Sequence, residues 1–232
     1  MKFDVITIFP EIIDDYKKIG IIARAISKKL ISIRPHDLRA VARDPHKTVD
    51  DRPYGGGFGM VLKPDIMQRM LKKFHAAGRQ RIILLSPRGK VFKQADAKRL
   101  AKYDRLVFVC GRYEGFDERT HAMVDEEFSI GDYVLMGGEL PALVMIETIS
   151  RFIPGVVGKA GSIISESFAD ASEHGHRALL EYPQYTRPEV LKVGRRKLRV
   201  PKVLLSGDHA KIKQWRDAQA LKLTKKLRPD IL

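Results

Sequence analysis

The sequence predicts an α/β protein built on a parallel sheet, followed by a linker and a small basic helical domain. Three observations carry this. Short apolar, β-rich runs, "RIILLSP" at 81–87, "RLVFVCG" at 105–111 and "EEFSIGD" at 126–132, alternate with helix-compatible stretches at 93–103, 116–123 and 139–152. Such alternation argues for parallel strands covered on both faces. The composition then changes after "RFIPGVVG", and positive charge gathers at the far end of the chain.

Taken in order, "FDVITIF" reads as a first buried strand, residues 10–30 as helical and "ISIRPHDL" as another strand. The glycine density of "DDRPYGGGFGMVLKP", 50–64, excludes regular structure and marks a long loop of the kind that is usually functional. Residues 158–177, "GKAGSIISESFADASEHGHR", are small and polar with little periodicity, as expected of a mobile linker. "LLEYPQYTRPEV" is extended because of its prolines. A long basic helix follows, capped by Ser206 or Asp208. The predicted domains are therefore 1–157, the linker 158–177 and 178–232.

The chain has 232 residues, 44% of them apolar, enough to bury a core, and no apolar run of membrane-spanning length. "MKFDVITIFPE" carries Asp4 inside its apolar run and reads as a strand rather than a signal peptide. A single cysteine, Cys110, excludes an internal disulfide and fits a reducing, cytoplasmic setting. The net charge is +15, and residues 178–232 hold 14 Lys and Arg against 5 Asp and Glu. That concentration favours a polyanionic partner, nucleic acid first, through counterion release and steering.

Several common sites are absent. There is no phosphate-binding G-x-x-x-x-G-K-[ST], and "YGGGFGM" misses the dinucleotide spacing because Met60 stands where a third glycine is needed. There is no G-x-S-x-G elbow, and one cysteine with scattered histidines gives no zinc set. His174 and His176 are better read as solvated linker residues than as a metal site. What remains is a convergence of "SPRG" (86–89), "GRYEG" (111–115) and "GDYVLMGGELP" (131–141), each following a strand. Ligands of open α/β sheets bind outside the carboxyl ends of the strands, and glycines let main chain approach them closely. With no cation among the central residues, the expected ligand is neutral or cationic and is read by backbone.

The stretches "RPYGGGFGM", "LSPRGKVF", "CGRYEGFDER", "SIGDYVLMGGELPA", "YPQYTRPEV" and "LLSGDHAKIKQWR" together resemble the bacterial tRNA (guanine-N1-)-methyltransferase family of the knotted SPOUT superfamily. The resemblance runs in order from Met1 to about Arg216. It implies a C-terminal trefoil knot in the α/β domain, a topology that composition alone would never suggest. It further implies S-adenosylmethionine as methyl donor, guanine at tRNA position 37 as substrate, a homodimer with the active site shared between subunits, and a divalent ion, Mg2+. Carried over residue by residue, the cofactor would lie among Leu84, Leu85, Gly111, Ile130, Gly131, Asp132, Tyr133, Val134, Leu135, Gly137, Gly138 and Pro141, with Glu114 near its methionine end. A cationic sulfonium there would tolerate the carboxylates that flank the glycine pair.

Methylation at N1 requires a base for the N1 proton and a donor for O6. The resemblance places these on Asp170, in "SFAD", and Arg151, in "RFIPG"; as an alternative, Arg151 simply caps its helix. The chain departs from the family by inserting "ASEHGHRA" after Asp170, and alignment from the right would put Arg177, which cannot be a base, at that position. Glu173 is the reserve candidate. Phe58 stands where the family usually has proline. Arg187, Arg195, Arg196, Lys197, Lys211, Lys213 and Arg216 are the candidate tRNA contacts, each otherwise a solvated charge.

Overall fold

The computed structural model describes residues 1–74, 78–158, 166–169 and 179–232. The chain divides into two compact units, Met1–Ala160 and Gly161–Leu232.

The first unit runs β1 (Lys2–Thr7), α1 (Pro10–Tyr16), α2 (Gly20–Ser27), β2 (Ser32–Asp37), β3 (Asp50–Asp51), β4 (Val61–Leu62), α3 (Pro64–Leu71), β5 (Gln80–Val91), α4 (Gln94–Leu100), β6 (Arg105–Cys110), β7 (Glu126–Ser129) and α5 (Glu139–Ser150). Five strands form one sheet in the order β2-β1-β6-β5-β7, every neighbouring pair parallel. Continuous apolar strands are what a sheet covered on both faces requires. On β6, Leu106, Phe108 and Cys110 join a core with α1, α2, α4 and α5 residues such as Ile13, Ile22, Leu100 and Ile146. Val107 and Val109 point the other way, onto Ile66, Met67 and Met70 of α3.

Several local expectations change. The helical stretch 10–30 is two helices, and 116–123 yields only a 3-10 turn, Glu118–Met123, begun by Asp117 accepting from the Arg119 amide. The loop 50–64 is framed by regular structure after all, because β3 and β4 pair antiparallel at its two ends. Helix α3 is an element beyond those expected from the sequence; Pro64 in its first turn and Asp65 beside it are its start signals. "SPRG" is not a loop after a strand but lies within β5, where pairing with β7 slips between Leu85 and Lys90 and then resumes at Lys90 opposite Phe128. Gly89 permits this, since a Cβ there would sit 2.5 Å from the Phe128 carbonyl carbon.

In the second unit, β8 (Val190–Val193) and β9 (Arg196–Arg199) form an antiparallel hairpin, and α6 (His209–Leu227) is the long basic helix. Asp208, rather than Ser206, is its N-cap, accepting from the Lys211 amide at 3.1 Å. The hairpin begins at Val190, where the extended stretch "LLEYPQYTRPEV" ends, and lies in a segment to which the sequence reading assigns no element. No helix among the described residues is long and apolar enough to cross a membrane.

Candidate functional site

A cleft of about 350 Å³ opens where β5 slips register after Leu85 and at the carboxyl ends of β6 and β7. Its walls are residues 85–88, 111–116, 121, 128–131, 133–138 and 141. All the sequence-predicted cofactor residues line it except Leu84 and Asp132. Leu84 is fully buried inside the sheet, opposite Val109 and Glu127, and Asp132 is exposed beside the cleft.

Main-chain bonds hold the three walls. The Gly138 amide donates to the Gly111 carbonyl at 2.9 Å, and Arg112 bridges Gly137 antiparallel. Gly138 is required here by close approach: a Cβ on it would lie 2.7 Å from the Cys110 Cα and 2.9 Å from the Gly111 nitrogen. Residues 130–133 are folded onto themselves, with Ser129 Oγ donating to the Gly131 carbonyl and the Tyr133 hydroxyl donating to the Ile130 carbonyl. The glycine-rich loop 52–60 meets the same region, where the Glu114 amide donates to the Met60 carbonyl and Leu62 pairs with Gly115 and Phe116. Beneath β5 and β7, Glu127 accepts from Ser86 Oγ at 2.5 Å and contacts His121 Nδ1 at 3.0 Å.

The electrostatics correct one expectation. Two cations, Arg88 and Arg112, do line the cleft, but both are paired. Arg88 Nη1 lies 2.8 Å from Glu118, and that hydrogen bond with its charge raises the arginine and lowers the glutamate from their ordinary pKa values. Arg112 Nε donates to Glu139 at 3.0 Å, and the same carboxylate accepts from Thr7 Oγ1 at 2.6 Å. Glu139 is 1% exposed in the first turn of α5, so its charge is satisfied within the protein and by the helix dipole rather than by a ligand. Nothing in the linear sequence tied Thr7, Arg112 and Glu139 together. Burial raises the Cys110 thiol well above its usual value, with Glu139 reinforcing the shift, so this cysteine stays an unreactive neutral group.

The remaining predicted site residues fall elsewhere. Arg151 is the C-cap of α5, its amide donating to the Glu147 carbonyl at 3.3 Å, while the cleft meets α5 at its N-terminal end. A helix of 12 residues is about 18 Å long, so Arg151 and Gly138 stand at opposite ends of it. Asp170 and Glu173 lie outside the described residues, as do His174, His176 and most of 158–177. Arg187, Arg195, Arg196, Lys197, Lys211 and Lys213 are exposed on the second unit, and Arg216 is half-buried. Among the described residues no group of three or more His, Cys, Asp or Glu could hold a metal ion, so the Mg2+ expectation acquires no ligand set.

Glycine-exposed main chain at the carboxyl edge of a parallel sheet defines the class: an α/β protein with a ligand cleft outside its strand ends. The family profile described as tRNA (Guanine-1)-methyltransferase TrmD matches residues 1–232. A tRNA (guanine-N(1)-)-methyltransferase of Geobacter sulfurreducens is 50% identical over all of this chain and 91% of its own length. Relatives of the same name from Clostridium novyi and Thermotoga petrophila are each 45% identical over all of this chain and 91% and 90% of theirs. The chain belongs to the tRNA (guanine-1)-methyltransferase family.

Proposed function

We propose that the protein transfers a methyl group from S-adenosylmethionine to N1 of guanine at tRNA position 37, next to the anticodon, in the cytoplasm. The observation that carries this reading is the end-to-end family match joined to a glycine-walled cleft at the expected strand ends. The cleft fits an adenosyl group: its walls are main chain brought close by Gly111, Gly137 and Gly138, and both of its arginines are already neutralised. Leu85, Ile130, Gly131, Tyr133, Val134, Leu135 and Pro141 would enclose the adenosine, with Leu84 and Asp132 supporting from behind and beside, and Glu114 would face the methionine end. When bound, S-adenosylmethionine supplies a methyl group already activated by positive sulfur.

The remaining demands fall on side chains. Asp170 takes the N1 proton, freeing the nitrogen lone pair, with Glu173 in reserve. Arg151 donates to O6 as negative charge develops there. Because Arg151 stands at the far end of α5 from the cleft of its own chain, the arrangement calls for a homodimer in which one copy's Arg151 and linker serve the partner's cleft. Under this reading residues 1–157 are the knotted SPOUT domain, 158–177 the linker, and 178–232 the basic tRNA-binding domain. There Arg187, Arg195, Arg196, Lys197, Lys211, Lys213 and Arg216 meet the RNA. No step is routed through Mg2+.

Purified protein, unmodified tRNA with guanine at positions 36 and 37, and labelled methyl donor test the proposal. Label entering N1-methylguanosine is expected, and its absence overturns the reading. Asp170→Asn is expected to abolish turnover while donor binding persists; unchanged turnover moves the base to Glu173 or elsewhere.

A further inference from the structure

The second unit contains a pocket for which methyl transfer has no use. It measures about 310 Å³ and is walled by residues 182–187 together with Glu189, Arg216 and the apolar side chains of Val200, Leu204, Leu205 and Ile212. That volume lies at the small end of ligand sites, roughly 300–1,000 Å³, the size for one nucleotide rather than a helix or a long peptide.

The chemistry of the walls narrows the occupant. The Arg216 guanidinium lies over the Tyr182 ring at 4.6 Å from its centroid, and its Nε is shielded from solvent with no hydrogen-bond partner among the described residues. Arg187 is exposed and has no carboxylate partner among those residues. Tyr185 is 47% exposed and is backed by Trp215 at 6.3 Å between ring centroids. An apolar side chain would bury two guanidiniums without partners, and a bare anion would leave the aromatic faces unused. A nucleotide meets both: its ring stacks on tyrosine and arginine planes, and its phosphate pairs with arginine.

We propose that this pocket takes one unpaired nucleotide of the RNA, other than the methylated guanine. Its base lies against Tyr185, its phosphate pairs with Arg187, and Arg216 Nε donates to an acceptor on the base or sugar. The proposal rests on the reading of tRNA as substrate but adds a second, base-capturing site to it, where side-chain positions had implied only a grip on phosphates.

The test measures the Kd of unmodified tRNA for the full chain by filter retention, alongside methyl transfer. Base stacking on an aromatic contributes about 1–3 kcal/mol, so Tyr185→Ala is expected to weaken binding about tenfold. Tyr185→Phe, which keeps the ring, is expected to restore it. Arg187→Gln should lower the salt slope by about one. Unaltered helical circular dichroism and an unaltered melting temperature of the free variants verify that the second unit, with its 19-residue α6, is still folded. A Tyr185→Ala Kd within twofold of wild type overturns the pocket proposal, as does failure of Tyr185→Phe to restore binding. If wild-type protein binds tRNA yet transfers no methyl group, the functional reading falls while the Kd comparison still decides the pocket.

Discussion

The cleft of the first unit and the surface of the second use opposite materials. Around the cleft the main chain itself is the surface: Gly138 rests on the backbone of Cys110, and the nearby charges Arg112 and Glu139 are turned inward upon each other. Both apolar clusters belong to this unit. In the second unit, by contrast, Ala169, Ala220 and Thr224 are the buried residues among those described, while the hairpin and most of α6 face solvent with their lysines and arginines. A shape-reading site must be rigid and tolerates almost no substitution. A charge-reading surface needs only side chains held roughly in place.

That contrast can be broken in order of expected effect. Glu139→Ala leaves the half-buried Arg112 guanidinium and the Thr7 hydroxyl without their acceptor, and should cost about 3 kcal/mol, read from a urea melt. Gly138→Ala forces β6 and the 133–138 wall apart and should cost about 1–3 kcal/mol; calorimetry should also find methyl-donor binding lost. Asp4 sharpens the comparison by pH. It is 1% exposed; burial alone would raise its carboxyl, but hydrogen bonds from His36 and Arg105 and the arginine charge outweigh that and hold it below its ordinary value. Its stabilisation is therefore present above the unfolded-state carboxylate pKa and is lost as pH falls through the lower folded value. Asp4→Asn should be less stable than wild type at neutral pH, with the difference closing in acid, as followed by thermal melts across pH. Smallest in stability is the joint neutralisation of Arg195, Arg196 and Lys197, expected to shift folding by no more than about 0.5 kcal/mol. The same change should reduce the salt slope of tRNA binding, by roughly one for each phosphate contact removed.

Much of the first unit was legible because its strands are continuous apolar runs. "RLVFVCG" has residues for both faces, and both are used. Sheet order was not legible, since β1 pairs on one side with β2, the next strand, but on the other with the distant β6, and no local signal records that choice. "SPRG" misled for a physical reason: Pro87 and Gly89 ordinarily end strands, yet here they form an irregularity through which β5 continues. The cleft was legible as motifs, but its charge balance was not. Glu139 was read as a carboxylate tolerated by a cation, whereas it is the buried anchor of Arg112.

The Arg112–Glu139 clasp also bears on the order in which the chain assembles. Its partners are 27 positions apart, whereas the Asp4–Arg105 pair that ties β1 to β6 spans 101. Loop-closure entropy grows with the logarithm of that span, so the clasp is favoured by about 1 kcal/mol before any other difference is counted. By that measure the ligand-binding corner closes at a smaller loss of chain freedom than the tie between the first strand and the middle of the sheet.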